Sequence, residues 1–363
     1  MNKKRVVLAM SGGVDSSVAA YLLKKRGFSV IGITFKVWPK GVCMKQDKKS
    51  CCSLDAINDA RQACREFDIP HYVIDCEKEF KKLVIDSFLD SYKKGLTPNP
   101  CIVCNERIKF PLLLKKAKEL QSYYIATGHH GRVGKNRINK RFLIKEAKDK
   151  NKDQSYVLFG LNQNILQRLL LPVGNHRKPE IKLLAKRLKL RSTKRQESQE
   201  ICFVENNKLP AFLKSNLPDK IKPGLIKNKD GKILGKHNGL CLYTIGQRRG
   251  LKIPYARPLY VIDTDCEKNE IIVGEKKETL KKSITVKGIN WLVSLPNNKK
   301  QLLSYVKIRY KHTKQKAILN ILSNNSCQVD FYNPQSAPTP GQAAVFYQRN
   351  SVIGGGWITK VGI

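Results

Sequence analysis

The first half of the chain alternates short apolar segments with segments of helical periodicity. Four apolar segments are typical of buried parallel strands: Val6 to Met10, Val30 to Phe35, Tyr72 to Ile74 and Tyr123 to Thr127. The clearest helix between them, Ser53 to Phe67, repeats apolar residues on one face and can be capped by its first residue. This alternation predicts an α/β fold with a doubly wound parallel sheet.

Beyond about Cys202 the pattern changes to short strands separated by turn signals. Leu259 to Asp263 and Glu270 to Val273 predict a hairpin, and the charged stretch from Glu275 to Lys282 separates two small, mainly β units. We therefore expect an α/β domain over residues 1–205, a small central β domain over 206–275 and a C-terminal β-barrel over 276–363.

Charge and hydropathy narrow the class of protein. No segment approaches the roughly 20 apolar residues of a membrane span, and the apolar run after Met1 to Arg5 is too short for a signal peptide. We therefore expect a cytoplasmic protein with no membrane partner. The 69 Lys and Arg residues against 29 Asp and Glu give a net charge of +40, which attracts nucleic acid. Because the excess is mainly Lys, compositional drift is an alternative source of part of it.

The eleven cysteines are expected to be reduced thiols, because their number is odd and the chain carries no export signal. Most of them, such as Cys64 and Cys76, are explained as small buried apolar residues. Only Cys101, Cys104 and Cys202 lie in sequence contexts that suggest chemistry.

A phosphate-binding loop is predicted directly after the first strand. The sequence from Ser11 to Ser17 contains two glycines and is followed by a helix, Val18 to Lys25, with Gly27 as its C-cap. Exposed N–H groups and the helix dipole favour an anion there, and the serines add hydroxyl donors. The Walker lysine is missing and the spacing does not fit a dinucleotide fingerprint. A carboxylate such as Asp15 can also help to hold Mg²⁺.

The segment Ser-Gly-Gly-Val-Asp-Ser, residues 11–16, resembles the loop of the N-type ATP pyrophosphatases. Those enzymes cleave ATP between its α and β phosphates and so adenylate a substrate. The resemblance implies an adenine nucleotide α-hydrolase-like domain and an activation step, but it leaves the acceptor open.

Two thiols precede a second predicted helix, Glu106 to Leu120. Cys104 is expected near the N-terminus of that helix, where the dipole and the neighbouring Arg107 and Lys109 favour a thiolate. Half of a zinc site is the alternative, and it would need further ligands from a group such as Cys43, Cys51 and Cys52. Cys202, between Ile201 and Phe203, would by itself more often be a core residue.

Seven motifs together resemble the tRNA-specific 2-thiouridylases, in the same order and over nearly the whole chain. They comprise residues 11–16, 99–105, 127–130, 152–156, 198–203, 243–248 and 340–343. Members of that family adenylate the 2-oxygen of the wobble uridine of tRNA and replace the oxygen with sulfur from a cysteine persulfide. The resemblance implies ATP and Mg²⁺ as cofactors, with the tRNA anticodon stem-loop and a persulfide-donating protein as partners.

The resemblance also implies roles for single residues. Cys104 becomes the nucleophile and Cys202 the persulfide carrier, and the two thiols can form a transient disulfide. Asn99, Pro100 and Cys101 would meet the target base. The residues implied for ATP are Ala9, Met10, Ser11, Gly12, Gly13, Val14, Asp15, Ser16, Phe35 and Gly128.

The β half is expected to supply part of the tRNA-binding surface. Its basic residues are interleaved with tyrosines, which offer charge for phosphates and rings for unstacked bases. For His129 a capping or hydrogen-bonding role is the alternative, and for Arg309 and Tyr310 it is an ordinary strand pair on a basic face. The residues implied for tRNA are His129, Lys152, Asp153, Gln154, Arg309, Tyr310 and Gln342.

Two positions depart from the family pattern. Many members have Met where this chain has Phe35, a mild change because either residue can pack on adenine. Many have Asp where this chain has Cys101, so a carboxylate near the base is lost and a Cys-x-x-Cys appears. With Cys104 and Cys202 this resembles three-cysteine iron–sulfur sites, which makes an iron–sulfur-dependent tRNA sulfurtransferase with a [4Fe-4S] cluster an alternative.

Two further hypotheses remain at this stage. A small-molecule adenylating ligase would share the phosphate loop but would explain neither the cysteines nor the charge. A non-catalytic RNA-binding protein with a vestigial loop would explain the charge, but the intact loop residues argue against it.

Overall fold

The computed structural model describes residues 1–37, 54–136, 140–194, 201–204, 208–295 and 300–362. The predicted helix cap Ser53, the alternative zinc ligands Cys43, Cys51 and Cys52, and residues 198–200 of the Cys202 motif lie outside these ranges.

The α/β domain is built on a five-stranded sheet in the order β3-β2-β1-β4-β7. All of its pairings are parallel, which confirms the predicted doubly wound sheet. Alternate residues of β1 face opposite sides: Val7 belongs to one apolar cluster, and Val6 and Leu8 to another. The strands are β1 Asn2–Ala9, β2 Ser29–Lys36, β3 His71–Asp75, β4 Ser122–Ala126 and, further along the chain, β7 Leu169–Leu170.

Helices cover both faces of this sheet and continue beyond it. Two π-helical turns, Lys81–Ile85 and Asn105–Lys109, interrupt otherwise continuous helical segments. No helix in the described part of the chain is long and apolar enough to cross a membrane. The helices are α1 Val14–Lys25, α2 Leu54–Glu66, α3 Glu77–Phe80, α4 Asp86–Lys93, α5 Pro100–Cys104, α6 Phe110–Glu119, α7 Gln163–Leu166, α8 Lys178–Arg187 and α9 Leu209–Asn216.

Both helices predicted next to candidate sites begin earlier than expected. α1 starts at Val14 and not at Val18, because Gly12 turns the chain at φ +68° and Gly13 caps the helix. The second helix starts at Pro100 and not at Glu106, because the Asn99 side chain accepts the Ile102 N–H at 3.4 Å and proline suits the first helical position. The predicted C-cap glycine of α1 is confirmed at Gly27, φ +79°.

The central β unit is a four-stranded sheet in the order β10-β11-β8-β9. The predicted hairpin is confirmed as the antiparallel pair β10–β11. The apolar core of this unit is small and includes Ile226, Val261 and Ile271. The strands are β8 Gly224–Lys227, β9 Ile233–His237, β10 Tyr260–Asp265 and β11 Glu270–Gly274.

The C-terminal unit is a β-barrel in which β12 pairs with both β15 and β17. A hairpin from the α/β half, β5–β6, extends the same sheet through the pair Ser351 and Lys145. The boundary expected at residue 205 stays a prediction. Strands β5 and β6 precede that boundary in sequence, but they belong to the sheet of the C-terminal barrel. These strands are β5 Arg132–Lys135, β6 Phe142–Lys145, β12 Leu280–Trp291, β13 Gln301–Lys307, β14 Gln315–Ser323, β15 Ser326–Ser336, β16 Ala343–Gln348 and β17 Ser351–Val361.

Phe88 lies at the centre of an aromatic cluster. Its ring packs on those of Tyr92, Phe203 and Phe212, with centroids 5.0, 5.2 and 6.3 Å away. We expect Phe88→Ala to lower the free energy of unfolding by about 3–5 kcal/mol, measured by urea titration. Leu183→Ala, at a 51% exposed position of α8, is the control and should change it by about 0.5 kcal/mol or less. A loss below about 1 kcal/mol for Phe88→Ala would contradict the packing.

Candidate functional site

The glycine turn after β1 forms an anion cradle at the start of α1. Ser16 Oγ accepts the Ser11 N–H at 3.2 Å and donates to the Gly13 carbonyl at 2.9 Å, so the turn is held by its own side chains. At Gly12 a Cβ would come 2.1 Å from the Ala56 carbonyl oxygen, so only glycine fits there. The turn therefore presents a helix N-terminus and serine hydroxyls to a phosphate.

Gly128, at the end of β4, brings a second backbone segment against the same turn. A Cβ at this position would lie 2.8 Å from the Asp15 carbonyl carbon and from the Ser16 nitrogen. The close approach requires glycine at 128 and puts the following histidines beside the phosphate loop.

Asp15 is held by two nitrogen donors. Lys178 Nζ lies 2.8 and 2.7 Å from its two carboxylate oxygens, and His130 Nε2 lies 3.0 Å from Oδ1. Burial raises the pKa of Asp15, but the hydrogen bonds and charges of His130 and Lys178 outweigh burial, and the pKa is lowered. Lys178 is only 5% exposed, so a charged ammonium is kept inside the site by this carboxylate.

Sequence reasoning missed Lys178. It lies at the start of α8, 163 positions from Asp15, and its backbone N–H donates to Asp149 at 2.9 Å. The only sequence signal is Pro179, which marks a helix start but says nothing of what the lysine contacts.

The residues present do not fit Mg²⁺ as they stand. A carboxylate is a suitable ligand, but both oxygens of Asp15 are bonded to Lys178. In the described part of the chain, no three His, Cys, Asp or Glu side chains are grouped to hold a metal ion. The same finding covers Cys101, Cys104 and Cys202, which offer no assembled iron–sulfur site.

Residues 152–154 fix the backbone of His130, the histidine that contacts Asp15. The Gln154 side chain accepts the His130 N–H at 2.8 Å, and the Gln154 N–H donates to the His130 carbonyl at 2.7 Å. Asp153 is 5% exposed and accepts from the Ala147 N–H at 2.9 Å and the Ser155 hydroxyl at 2.7 Å. These contacts give Gln154 and Asp153 a structural role, whatever they meet in a complex.

His129 lies between the end of the segment after β4 and the helical segment that contains Cys101 and Cys104. Its Nδ1 lies 2.8 Å from Thr127 Oγ1, and its ring packs on Phe110 with centroids 5.8 Å apart. Burial, followed by the charge of Lys109, lowers the pKa of His129 well below the usual value, so the ring is neutral at pH 7. The hydrogen-bonding alternative considered for this residue is therefore present in the structure.

Cys104 lies one turn inside the helical segment that begins at Pro100. The field of the helix N-terminus weakens over the first turn, so Cys101 is nearer to it than Cys104 is. The next residue, Asn105, is 3% exposed and donates to the Val157 carbonyl at 3.0 Å. Since a π-helical turn starts at Asn105, the backbone is irregular beside the thiol, which is common at functional sites.

Cys104 and Cys202 both pack against the same large apolar cluster. Burial, then the charges of Glu79 and Asp75, raise the pKa of Cys76, the residue before α3, to about 12. Phe203, next to Cys202, packs on Phe80 at the other end of α3 with centroids 5.8 Å apart. Cys104 and Cys202 are half-buried, whereas Cys101 is exposed.

The barrel closes over the segment that precedes the cysteines. Gln342 Nε2 donates to the Thr97 carbonyl at 2.9 Å, and the Thr97 N–H donates to the Pro340 carbonyl at 3.0 Å. Tyr310 packs on Tyr156 with centroids 6.2 Å apart. Burial, followed by the charges of Asp153 and Cys101, raises the pKa of Tyr310 to about 12.

The remaining predicted positions are distributed around this centre. Arg309 is exposed and donates to the Ser336 carbonyl at 3.2 Å. Lys152 is half-buried in the turn before Asp153. Met10 and Phe35 are 2% and 8% exposed and belong to two different apolar clusters.

Fold and geometry together define an α/β nucleotide-binding protein with a phosphate loop, two half-buried thiols and a barrel docked beside them. Three family models match the chain in succession: the tRNA methyl transferase HUP domain over residues 4–206, the tRNA methyl transferase PRC-barrel domain over 210–275 and the aminomethyltransferase beta-barrel domain over 281–358.

Curated relatives match almost the full chain. The tRNA-specific 2-thiouridylase MnmA 2 of Thermoanaerobacter sp. (strain X514) is 46% identical over 357 residues, 98% of each chain. The MnmA protein of Geobacter metallireducens is 45% identical over 363 residues, covering 98% of this chain and 97% of its own. The chain belongs to the tRNA-specific 2-thiouridylase family, which confirms the resemblance seen in its motifs.

The neutral state of His129 predicts a pH dependence of stability. Its folded pKa lies below that of the unfolded chain, so the unfolded state binds an extra proton below about pH 6.5. Stability contributed by the neutral ring is complete above that pH and is lost as the pH falls. We expect His129→Gln to reduce the decline in unfolding free energy between about pH 6.5 and 5, whereas Leu183→Ala, at an exposed position without a titratable side chain, should leave the slope unchanged. An equal slope in wild type and His129→Gln would contradict this assignment.

Proposed function

We propose that the chain thiolates tRNA, using ATP to activate the 2-oxygen of the wobble uridine and a persulfide on Cys202 to replace it. The observation that carries the proposal is that two adjacent histidines contact both parts of the site. His130 contacts Asp15 and Gln154, and the His129 ring packs on Phe110, in the helical segment that also contains Cys104. Family membership supplies the substrate.

In the activation step, the uridine 2-oxygen attacks the α-phosphate of ATP and pyrophosphate leaves. The turn at Ser11 to Ser16 is placed to hold the departing phosphates by backbone N–H groups and hydroxyls. Lys178 supplies the cation that the loop itself lacks, since its ammonium is already beside Asp15. Mg²⁺ is given no role in this step, because both carboxylate oxygens of Asp15 are engaged by Lys178.

In the sulfur step, the outer sulfur of the Cys202 persulfide attacks C2 of the adenylated uridine, and AMP leaves with the former 2-oxygen. The Cys104 thiolate then attacks the inner sulfur of Cys202, which releases 2-thiouridine and forms a Cys104–Cys202 disulfide. A cellular thiol reductant restores both thiols. The packing of both side chains against one apolar cluster supports this pairing.

The tRNA is proposed to enter where barrel and α/β domain meet, with the base near Asn99, Pro100 and Cys101. Tyr310, which packs on Tyr156, can meet an unstacked base, and Arg309 is exposed next to it. Gln342 acts first by fixing the backbone of residues 97 and 98. A persulfide-donating protein and a cytoplasmic location complete the proposal.

The cysteine roles predict two distinct defects. In tRNA incubated with enzyme, ATP and a protein persulfide donor, nucleoside mass spectrometry should find 2-thiouridine lowered at least about a hundredfold for Cys104→Ser, because the disulfide between Cys202 and the product is not resolved. With a protein persulfide donor, Cys202→Ser should fail equally, while direct sulfide should restore part of its activity. Cys266→Ser, an exposed thiol of the central unit, is the control. Normal activity of Cys104→Ser would contradict the mechanism.

The Lys178 contact predicts a phosphate-specific defect. Lys178→Met should weaken ATP binding by on the order of thirtyfold or more, because a buried charge partner of the phosphates is lost. AMP binding should change much less, since AMP lacks the β and γ phosphates. Lys186→Met on the exposed side of α8 is the control. Equal losses for ATP and AMP, measured by calorimetry, would assign Lys178 a purely structural role.

A further inference from the structure

The outer face of the C-terminal barrel carries two exposed tyrosines and a lysine, here called the tyrosine row: Tyr305, Lys316 and Tyr332. Tyr305 on β13 lies opposite Lys316 on β14, and Lys316 Nζ is 4.6 Å from the ring centroid of Tyr332 on β15. The two tyrosines are 44% and 50% exposed. The residues next to them along the strands face the barrel core and are buried: Val306, Ala317 and Phe331.

The composition of the row suits unpaired nucleic acid. Rings on the first and third of three neighbouring strands are about 10 Å apart, two strand spacings. Sheet faces with aromatic rings at such intervals stack successive unpaired bases, while a lysine between them meets the phosphate. A net charge of +40 on the chain favours a polyanion over another apolar protein surface.

The position of the row links it to the candidate site. Tyr305 is paired with Tyr347 on β16, and the Tyr347 hydroxyl lies 3.2 Å from Ser155 Oγ in the α/β domain. Lys314 lies 5.9 Å from the ring centroid of Tyr305 and 5.4 Å from that of Tyr347. The row therefore begins at the domain interface beside residues 152–156 and runs outward across β14 and β15.

We propose that the tyrosine row binds unpaired nucleotides of the tRNA that lie outside the anticodon loop. Bases stack on Tyr305 and Tyr332, and Lys316 contacts the phosphate between them. The anticodon loop must deliver its base to Cys104 on the other side of the interface, so the nucleotides on the row belong to another part of the molecule. This inference rests on the proposed function for its choice of RNA.

The test is the affinity for full-length tRNA, measured by filter binding without ATP. Tyr305→Ala/Tyr332→Ala should weaken binding by on the order of tenfold or more, because stacking is lost. Tyr305→Phe/Tyr332→Phe keeps both rings and should bind as the wild type does. Leu322→Ala, 63% exposed on the same barrel, is the control for surface truncation. Nuclease footprints should show nucleotides outside the anticodon loop becoming accessible only in the double alanine variant.

Three results would overturn the proposal: wild-type affinity in the double alanine variant, an equal loss in the phenylalanine variant, or newly accessible nucleotides confined to the anticodon loop. Wild-type affinity in the double alanine variant would mean that the tyrosine row serves a partner other than tRNA. Failure of the proposed function has a different signature, because the wild type would then bind tRNA without forming 2-thiouridine.

Discussion

The buried ion pair between Lys178 and Asp15 is the interaction on which the centre of the molecule depends. An ammonium that is 5% exposed persists only with a well-placed carboxylate, and here both oxygens are engaged. His130 completes the arrangement, and its backbone is fixed by Gln154. The ion pair and its two hydrogen-bonding neighbours thus join four segments that are distant in sequence. They fix the position of the glycine turn relative to the segment after β4, the 152–154 segment and the start of α8.

The hydrophobic pattern of the sequence was sufficient to predict the strands of the parallel sheet, because hydrophobic periodicity and apolar runs are local properties of the chain. β1 to β4 lie where apolar segments predicted them, with ends shifted by a few residues. The sequence did not predict that helices begin at Val14 and Pro100, because glycine and proline were interpreted as helix breakers. In the structure Gly13 is the N-cap of α1, and Pro100 is the first residue of α5.

The candidate site was predictable where a motif concentrates chemistry in a few residues, as at Ser11 to Ser16. Lys178 was not, since its importance comes from a contact 163 positions away that no spacing encodes. The motif residues Asp153 and Gln342 illustrate another limit. Their side chains bind protein backbone in the described structure, so motif membership alone does not separate a substrate contact from an architectural one.

The hairpin β5–β6 has a consequence for how the protein can be divided. Its strands leave the α/β half and complete the ladder of the barrel through β17. A fragment that ends before β12 would leave β6 as a bare strand edge, with unpaired amide and carbonyl groups open to other chains. Removal of β12 to β17 should therefore expose this edge and favour self-association of the remaining chain.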